Sequence, residues 1–259
     1  MKLLHFQAGD RHCTCDLARG VSLAIPLRFD GPQPNFFAAP AASAAPLQME
    51  DFSGATRLGG SCNVGHYHLV PHCNGTHTEC IGHVVDDPVA LTEQLRPALL
   101  PATLVTIAPR HNIIDAALMK MSLQRHPLRE LHEAFIIRTL PNSKEKLARH
   151  YAAANPPPHI DVGAVALLVE AGVQHLLVDL PSLDPMHDAG RLAAHRAFWG
   201  LPAGSRRYTE AQRPHGSVTE MIYVPDGVAD GHYLLDLQIP AFMSDAAPSR
   251  PIIYPLELQ

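Results

Sequence analysis

Hydrophobic and polar positions along the chain alternate between two periods. VSLAIPLRF (21–29) alternates apolar and small residues and predicts a strand. LVTIAP (104–109) and EAFIIRTL (133–140) are short apolar runs closed by turn residues, which predicts buried strands. A helical period runs from Asp161 to Glu170 and stops at Gly172. QHLLVDLP follows at once, predicting a strand over 175–180 ended by Pro181. Strand, helix and strand joined this tightly predict a buried crossover and an α/β fold. A second helix is expected over 188–199 with Asp188 as its cap, and late strands over 220–224 and 232–239 around the turn PDGVADG.

Between the first strand and the centre lies GPQPNFFAAPAASAAPLQ (31–48), rich in proline and alanine, which predicts a long irregular loop. Phe36 and Phe37 sit in it, as residues of a surface linker or as aromatics that cover a substrate. No internal repeat is visible. A length of 259 residues fits one domain, 1–259.

Composition narrows the function classes. Hydrophobic residues are 46% of the chain, ample for a core. A net charge of −5 gives no electrostatic reason to expect nucleic acid or an anionic membrane surface. The apolar run VGAVALLVEAGV (162–173) is too short to span a bilayer and is interrupted by Glu170. The start, MKLLHFQAGDRHC, shows no signal peptide, and five cysteines form no regular framework. A cytoplasmic location is the expectation.

The chemistry concentrates in PHCNGTHTECIGH (71–83), with three histidines, two cysteines and a glutamate. In a chain with 17 histidines such a cluster can arise by chance, so geometry has to decide. His77 and Glu79 are two apart and share one face of an extended chain, as two ligands of one ion must. His83 is six beyond His77, close to such a site and free to do something other than ligate. Imidazole and carboxylate donors without paired thiolates favour Zn²⁺ or Mn²⁺ in an open, catalytic site.

This stretch resembles the HxGTHxDxPxH signature of the cyclase family of metal-dependent hydrolases. Gly75-Thr76-His77 matches its core, Glu79 stands at the aspartate and His83 at the last histidine. LLVDLPSLDP (176–185) with His195 beyond it, Glu220 on a late strand, and the closing DAAPSRPII (245–253) resemble further segments of the family. The likeness runs from about residue 21 to 253.

The resemblance implies a swivelling β/β/α fold with a mixed sheet or barrel-like core flanked by helices. It also implies two divalent ions, one on His72, His77 and Glu79, the other on Glu79, His195 and Glu220. A metal-activated water would then hydrolyse an amide C–N bond, N-formyl-aryl or cyclic, with His83 as proton shuttle. A small-molecule amide would be the partner, in a homodimer or homotetramer.

Three departures stand out. The family's first histidine falls on Cys73, with His72 one step away, so either is a candidate ligand; an imidazole keeps the family's donor set, with Asn74-Gly75 as a bulge that swings His72 in. Ile81 replaces a proline. The segment between His195 and Glu220 is long, which points to a different substrate rim. The rival readings are a cyclase or dehydratase acting on a polyketide-like substrate, and a relative that binds metal and ligand without turnover. Taken alone, His195 reads as a core histidine, Asp179 as a strand-end residue and Asp184 as a turn residue.

Overall fold

The computed structural model describes residues 2–95 and 99–258. Eleven strands form the main sheet: β1 (Leu3–Ala8), β2 (Arg11–Asp16), β3 (Val21–Ser22), β4 (His77–Glu79), β5 (Leu99–Ile107), β6 (Ala134–Thr139), β7 (His175–Val178), β8 (Ser217–Glu220), β9 (Gly231–Asp236), β10 (Ala246–Pro248) and β11 (Ile252–Leu258). Their order is β1-β2-β11-β9-β5-β6-β7-β8-β4-β10, with β3 on β11. The four central strands, β5 to β8, are parallel, and their neighbours on both sides are antiparallel.

Parallel neighbours need crossovers, and three helices supply them: α1 (Ala116–Arg125), α2 (Val162–Glu170) and α3 (Ala193–Trp199). The central strands are buried on both faces, which is why they read as unbroken apolar runs. Val105, Ile107, Phe135, Ile137, Leu176, Val178 and Val218 face the helices and meet Met119, Val165, Leu168, Phe198 and Trp199. The alternate residues Leu104, Ala134, Ile136 and Leu177 face Leu23, Leu235 and Ile253 instead.

That second cluster is enclosed because the chain start closes the sheet on itself. Beyond β3, Leu23 N–H donates to Pro251 O (2.8 Å), and Tyr223 N–H donates to Leu23 O (2.8 Å). Ala24 bridges Ile222. The N-terminal segment therefore spans from β11 to the extension of β8 and curls the large mixed sheet, one of the two core forms that the resemblance implies.

Several boundaries differ from expectation. The strand predicted over 21–29 forms a regular ladder only at Val21–Ser22; Leu23 and Ala24 add the bridging contacts just described, and Ile25 N–H then turns away to Thr76 Oγ1 (2.9 Å). The 31–48 segment is not wholly irregular, since Ser43–Pro46 pairs with Gly65–His68 and Gln48–Met49 with Phe52–Ser53. The strand expected over 220–224 ends at Glu220, where Met221 takes a positive φ of 52° and breaks the ladder. The strand expected over 232–239 stops at Asp236. Helix α2 starts as predicted, with Asp161 accepting from Ala164 N–H and Gly172 beyond its end. Asp188 does not cap α3; its carboxylate closes a turn with Gly190 N–H and Leu192 N–H, and the helix begins later. Helix α1, capped by Asp115, adds an element beyond those expected from the sequence.

Candidate metal centre

The site is built on β4, a three-residue strand lying between β8 and β10. In antiparallel register His77 stands opposite Glu220, and alternation puts Glu79 on the same face as His77. Thr78 points the other way and shares a hydrogen bond with Thr219 Oγ1 (2.8 Å). One short ladder thus gathers an imidazole and two carboxylates, all buried.

Three further segments complete the cluster. His72 comes from a single helical turn, Pro71–Asn74, and its Nδ1 lies 2.8 Å from Glu79 Oε2. His195 enters from the first turn of α3, with Nε2 at 3.0 Å from Glu79 Oε1 and 3.3 Å from Glu220 Oε1. His77 Nε2 is 3.6 Å from Glu220 Oε2 and 4.0 Å from Glu79 Oε2. His83, on a 3-10 turn, keeps its Nδ1 3.9 Å from Glu79 Oε2 and stays partly exposed.

Sequence reasoning missed two carboxylates. Asp184 Oδ2 accepts from His195 Nδ1 at 2.6 Å, and the same side chain accepts Ala194 N–H (2.7 Å) and His195 N–H (3.2 Å). Asp245 Oδ2 lies 3.0 Å from His72 Nε2 and 3.7 Å from His83 Nδ1. For Asp184 the only sequence signal was its place before the His195 helix, which also suits a turn. For Asp245 it was the first residue of the DAAPSR segment.

The electrostatics are those of a cation site. Burial works to raise the pKa of Glu79, yet His83, His195 and His72 hold it well below the carboxylate range. Glu220 is likewise lowered, by His195 and His77 against burial and the charge of Glu79. Burial would depress His195, but Glu79, Asp184 and Glu220 carry it well above its ordinary value. His72 is pushed up to about 10, with Asp245 and Glu79 outweighing burial. The hydrogen bond from His72, with His83 close by, holds Asp245 far below the usual range. Among the described residues no Lys or Arg pairs with these carboxylates. Buried anions need compensating charge, and here only protons on the imidazoles or bound cations can provide it.

The bare atoms favour cations. His77 Nε2, His195 Nε2 and Glu79 Oε1 are buried without a well-aligned hydrogen bond, and buried polar atoms rarely stay so. His72, His77 and Glu79 offer ligand atoms within 4.8 Å of one another, and so do Glu79, His195 and Glu220. The nitrogen and oxygen donors suit zinc or manganese.

All six site residues expected from the central motif and its distant partners are therefore brought together. Cys73 is not among the clustered donors; burial, then the charge of Glu220, raises its thiol pKa and disfavours the thiolate. No sheet bulge carries His72 inward, since the Pro71–Asn74 helical turn makes the adjustment. Phe36 and Phe37 are separated in role. Phe36 is buried against Ile25, Tyr151 and Met221, and its N–H donates to Cys73 O (3.0 Å), seating the 31–48 segment on the His72 turn. Phe37 is 60% exposed.

The family described as "Cyclase: Putative cyclase" matches residues 21–185 of this chain. A kynurenine formamidase of Bacillus thuringiensis (strain Al Hakam) is 28% identical over 206 residues, covering 76% of this chain and 82% of the relative. Among solved structures, isatin hydrolase A from Labrenzia aggregata superposes with a TM-score of 0.64 at 13% identity, covering 92% of this chain and 95% of that one. Isatin hydrolase A from Ralstonia solanacearum gives 0.63 at 14% identity, over 92% and 91%. The mixed sheet, the three crossover helices and the strand that opens at His77 of the GTH motif are in accord with these likenesses: the chain belongs to the cyclase family.

Proposed function

We propose that this protein is a metal-dependent hydrolase that cleaves the C–N bond of an aryl N-formyl amide or a cyclic amide. The observation that carries the reading is the convergence of bare imidazole nitrogens and carboxylate oxygens on one buried point. The 28% likeness to a kynurenine formamidase supports amide hydrolysis over the cyclase, dehydratase or non-catalytic alternatives. His72, His77 and Glu79 hold one divalent ion and Glu79, His195 and Glu220 a second, zinc or manganese. When bound, the cations acidify water and polarise the scissile carbonyl.

The chain's own residues do the rest. Glu79 is shared between both ligand sets, which its two oxygens allow. His83 faces the centre from its open side and carries a proton to the departing nitrogen, a role that needs reach without ligation. The 31–48 segment, with Phe37 at its surface, supplies an aromatic wall. No helix among the described residues is long and apolar enough to cross a membrane. We place the enzyme in the cytoplasm as a homo-oligomer, which gel filtration with light scattering tests.

The deciding experiment is a substrate series given to zinc- and manganese-reconstituted protein: formanilides, isatin and, as a control, a carboxylic ester of the same size. Amide hydrolysis that is abolished by chelation and restored by metal is expected. Metal-loaded protein that leaves every amide intact overturns the reading.

A further inference from the structure

Each imidazole of the proposed ligand set has one nitrogen turned inward and one turned to a protein acceptor. His77 gives Nδ1 to Gly75 O (2.9 Å) and His195 gives Nδ1 to Asp184 (2.6 Å), so both present Nε2 to the centre. His72 is reversed. Its Nε2 meets Asp245 Oδ2 at 3.0 Å, and Nδ1 is the atom facing Glu79. The reversal follows from its position. His72 reaches the centre from a helical turn beside the strand, one residue before the position of Cys73, so its ring arrives from the rim rather than along the sheet face.

We propose that Asp245 is a positioning residue that fixes the Nε2-protonated tautomer of His72 and so makes Nδ1 its ligand atom. A metal-binding imidazole is held in one tautomer and one ring orientation by the acceptor on its other nitrogen. The backbone delivers Asp245 for this purpose. Cys80 N–H donates to Asp245 O (2.9 Å), which clamps residue 245 beside the residue that follows Glu79. In the adjoining ladder Ala246 pairs with Glu79. Gly82 permits the approach: a Cβ there would lie 3.0 Å from Asp245 Cβ and 2.5 Å from Val89 O. His83 Nδ1 lies 3.7 Å from the same oxygen, so one carboxylate at the rim borders both the displaced ligand and the proton carrier.

The inference rests on the metal-binding reading, and the test separates the two. Zinc affinity is measured by chelator competition for the intact chain and for Asp245→Ala and Asp245→Asn, with far-UV circular dichroism confirming the fold of each. Asp245→Ala is expected to bind zinc about 10–100-fold more weakly with unchanged stoichiometry at saturation, and Asp245→Asn to fall between. Nitrogen-15 correlation spectra of the zinc-loaded wild-type chain should show metal on Nδ1 of His72 but on Nε2 of His77 and His195. In Asp245→Ala the His72 Nε2 proton should exchange rapidly with water.

Metal on His72 Nε2 in the wild type, or unchanged affinity and tautomer in Asp245→Ala, overturns the inference while leaving the enzyme reading in place. Loss of a whole equivalent of zinc at saturation would make Asp245 a ligand instead and also overturns it. A wild-type chain that binds no zinc or manganese removes both.

Discussion

Asp184 holds His195 twice, accepting its ring Nδ1–H at 2.6 Å and its backbone N–H at 3.2 Å. One carboxylate therefore starts helix α3 and aims the imidazole that this helix carries. Two losses should follow from its removal. Asp184→Ala should lower folding stability by about 1 kcal/mol for the lost helix start alone, and weaken metal binding about 10–100-fold for the lost ring contact. Asp184→Asn should retain most of the stability and still bind metal less tightly. Urea unfolding and metal titration on the same samples check both.

His83 should behave as a proton carrier. His83→Ala is expected to keep its full metal complement and to hydrolyse amides about 10²–10⁴-fold more slowly. The defect should shrink for amides whose leaving amine needs little protonation. Elemental analysis beside rates across a leaving-group series is the check, and metal loss would place His83 in the ligand shell.

For the first ligand, Cys73→Ser should leave metal content intact and His72→Ala should reduce it, since only the imidazole faces Glu79. The reverse result would mean a thiolate ligand and would favour zinc over manganese.

Away from the site, His175 on β7 is buried and shares a hydrogen bond with Ser217 Oγ across to β8 (2.8 Å). Burial, then Arg213, lowers its pKa from 6.5 to about 4. Between those values the unfolded chain takes up the proton first, so this contribution is complete above 6.5 and is lost as pH falls toward 4. At about 1.4 kcal/mol per pH unit the loss approaches ~3 kcal/mol. Urea midpoints measured at about pH 7 and about pH 5 should converge more in His175→Gln than in the parent.

Thr76 Oγ1 accepts Ile25 N–H (2.9 Å) and donates to Met221 O (2.5 Å). Thr76→Val keeps the shape and strands both buried groups, which should cost about 1–3 kcal/mol per unsatisfied group. Thermal unfolding of the variant measures it; an unchanged midpoint would mean the seam closes without this hydroxyl.

What the sequence disclosed follows from the range of each interaction. The 161–178 crossover was legible because its helix period, its Asp161 cap and its Gly172 stop are all local. His77 and Glu79 were legible because two-residue alternation puts them on one face. Asp184 and Asp245 were not, because their partners are fixed by tertiary approach: α3 folding back on the 184 turn, and β10 pairing with β4. The strand predicted over 21–29 overran for a related reason. Its alternation is real, but Ile25 spends its N–H on a hydroxyl from the central motif rather than on a neighbouring strand. The substrate rim stayed out of reach, since Phe36 and Phe37 look alike in sequence and differ only in which side the backbone turns.

The closure of the sheet by β3 and the residues just after it has a kinetic consequence. The seam joins residue 25 to 76 and 76 to 221 beside the ladder in which His77 stands opposite Glu220. The approaches of His195 to Glu79, His77 to Glu220 and His72 to Asp245 join stretches far apart in the chain, the kind of contact that pays its loop-closure entropy before it returns any stabilisation. Assembly of the centre therefore carries a larger loop-closure cost than formation of the local helix α2. The proposed ligands run from His72 to Glu220, so during synthesis the set is incomplete until β8 has emerged.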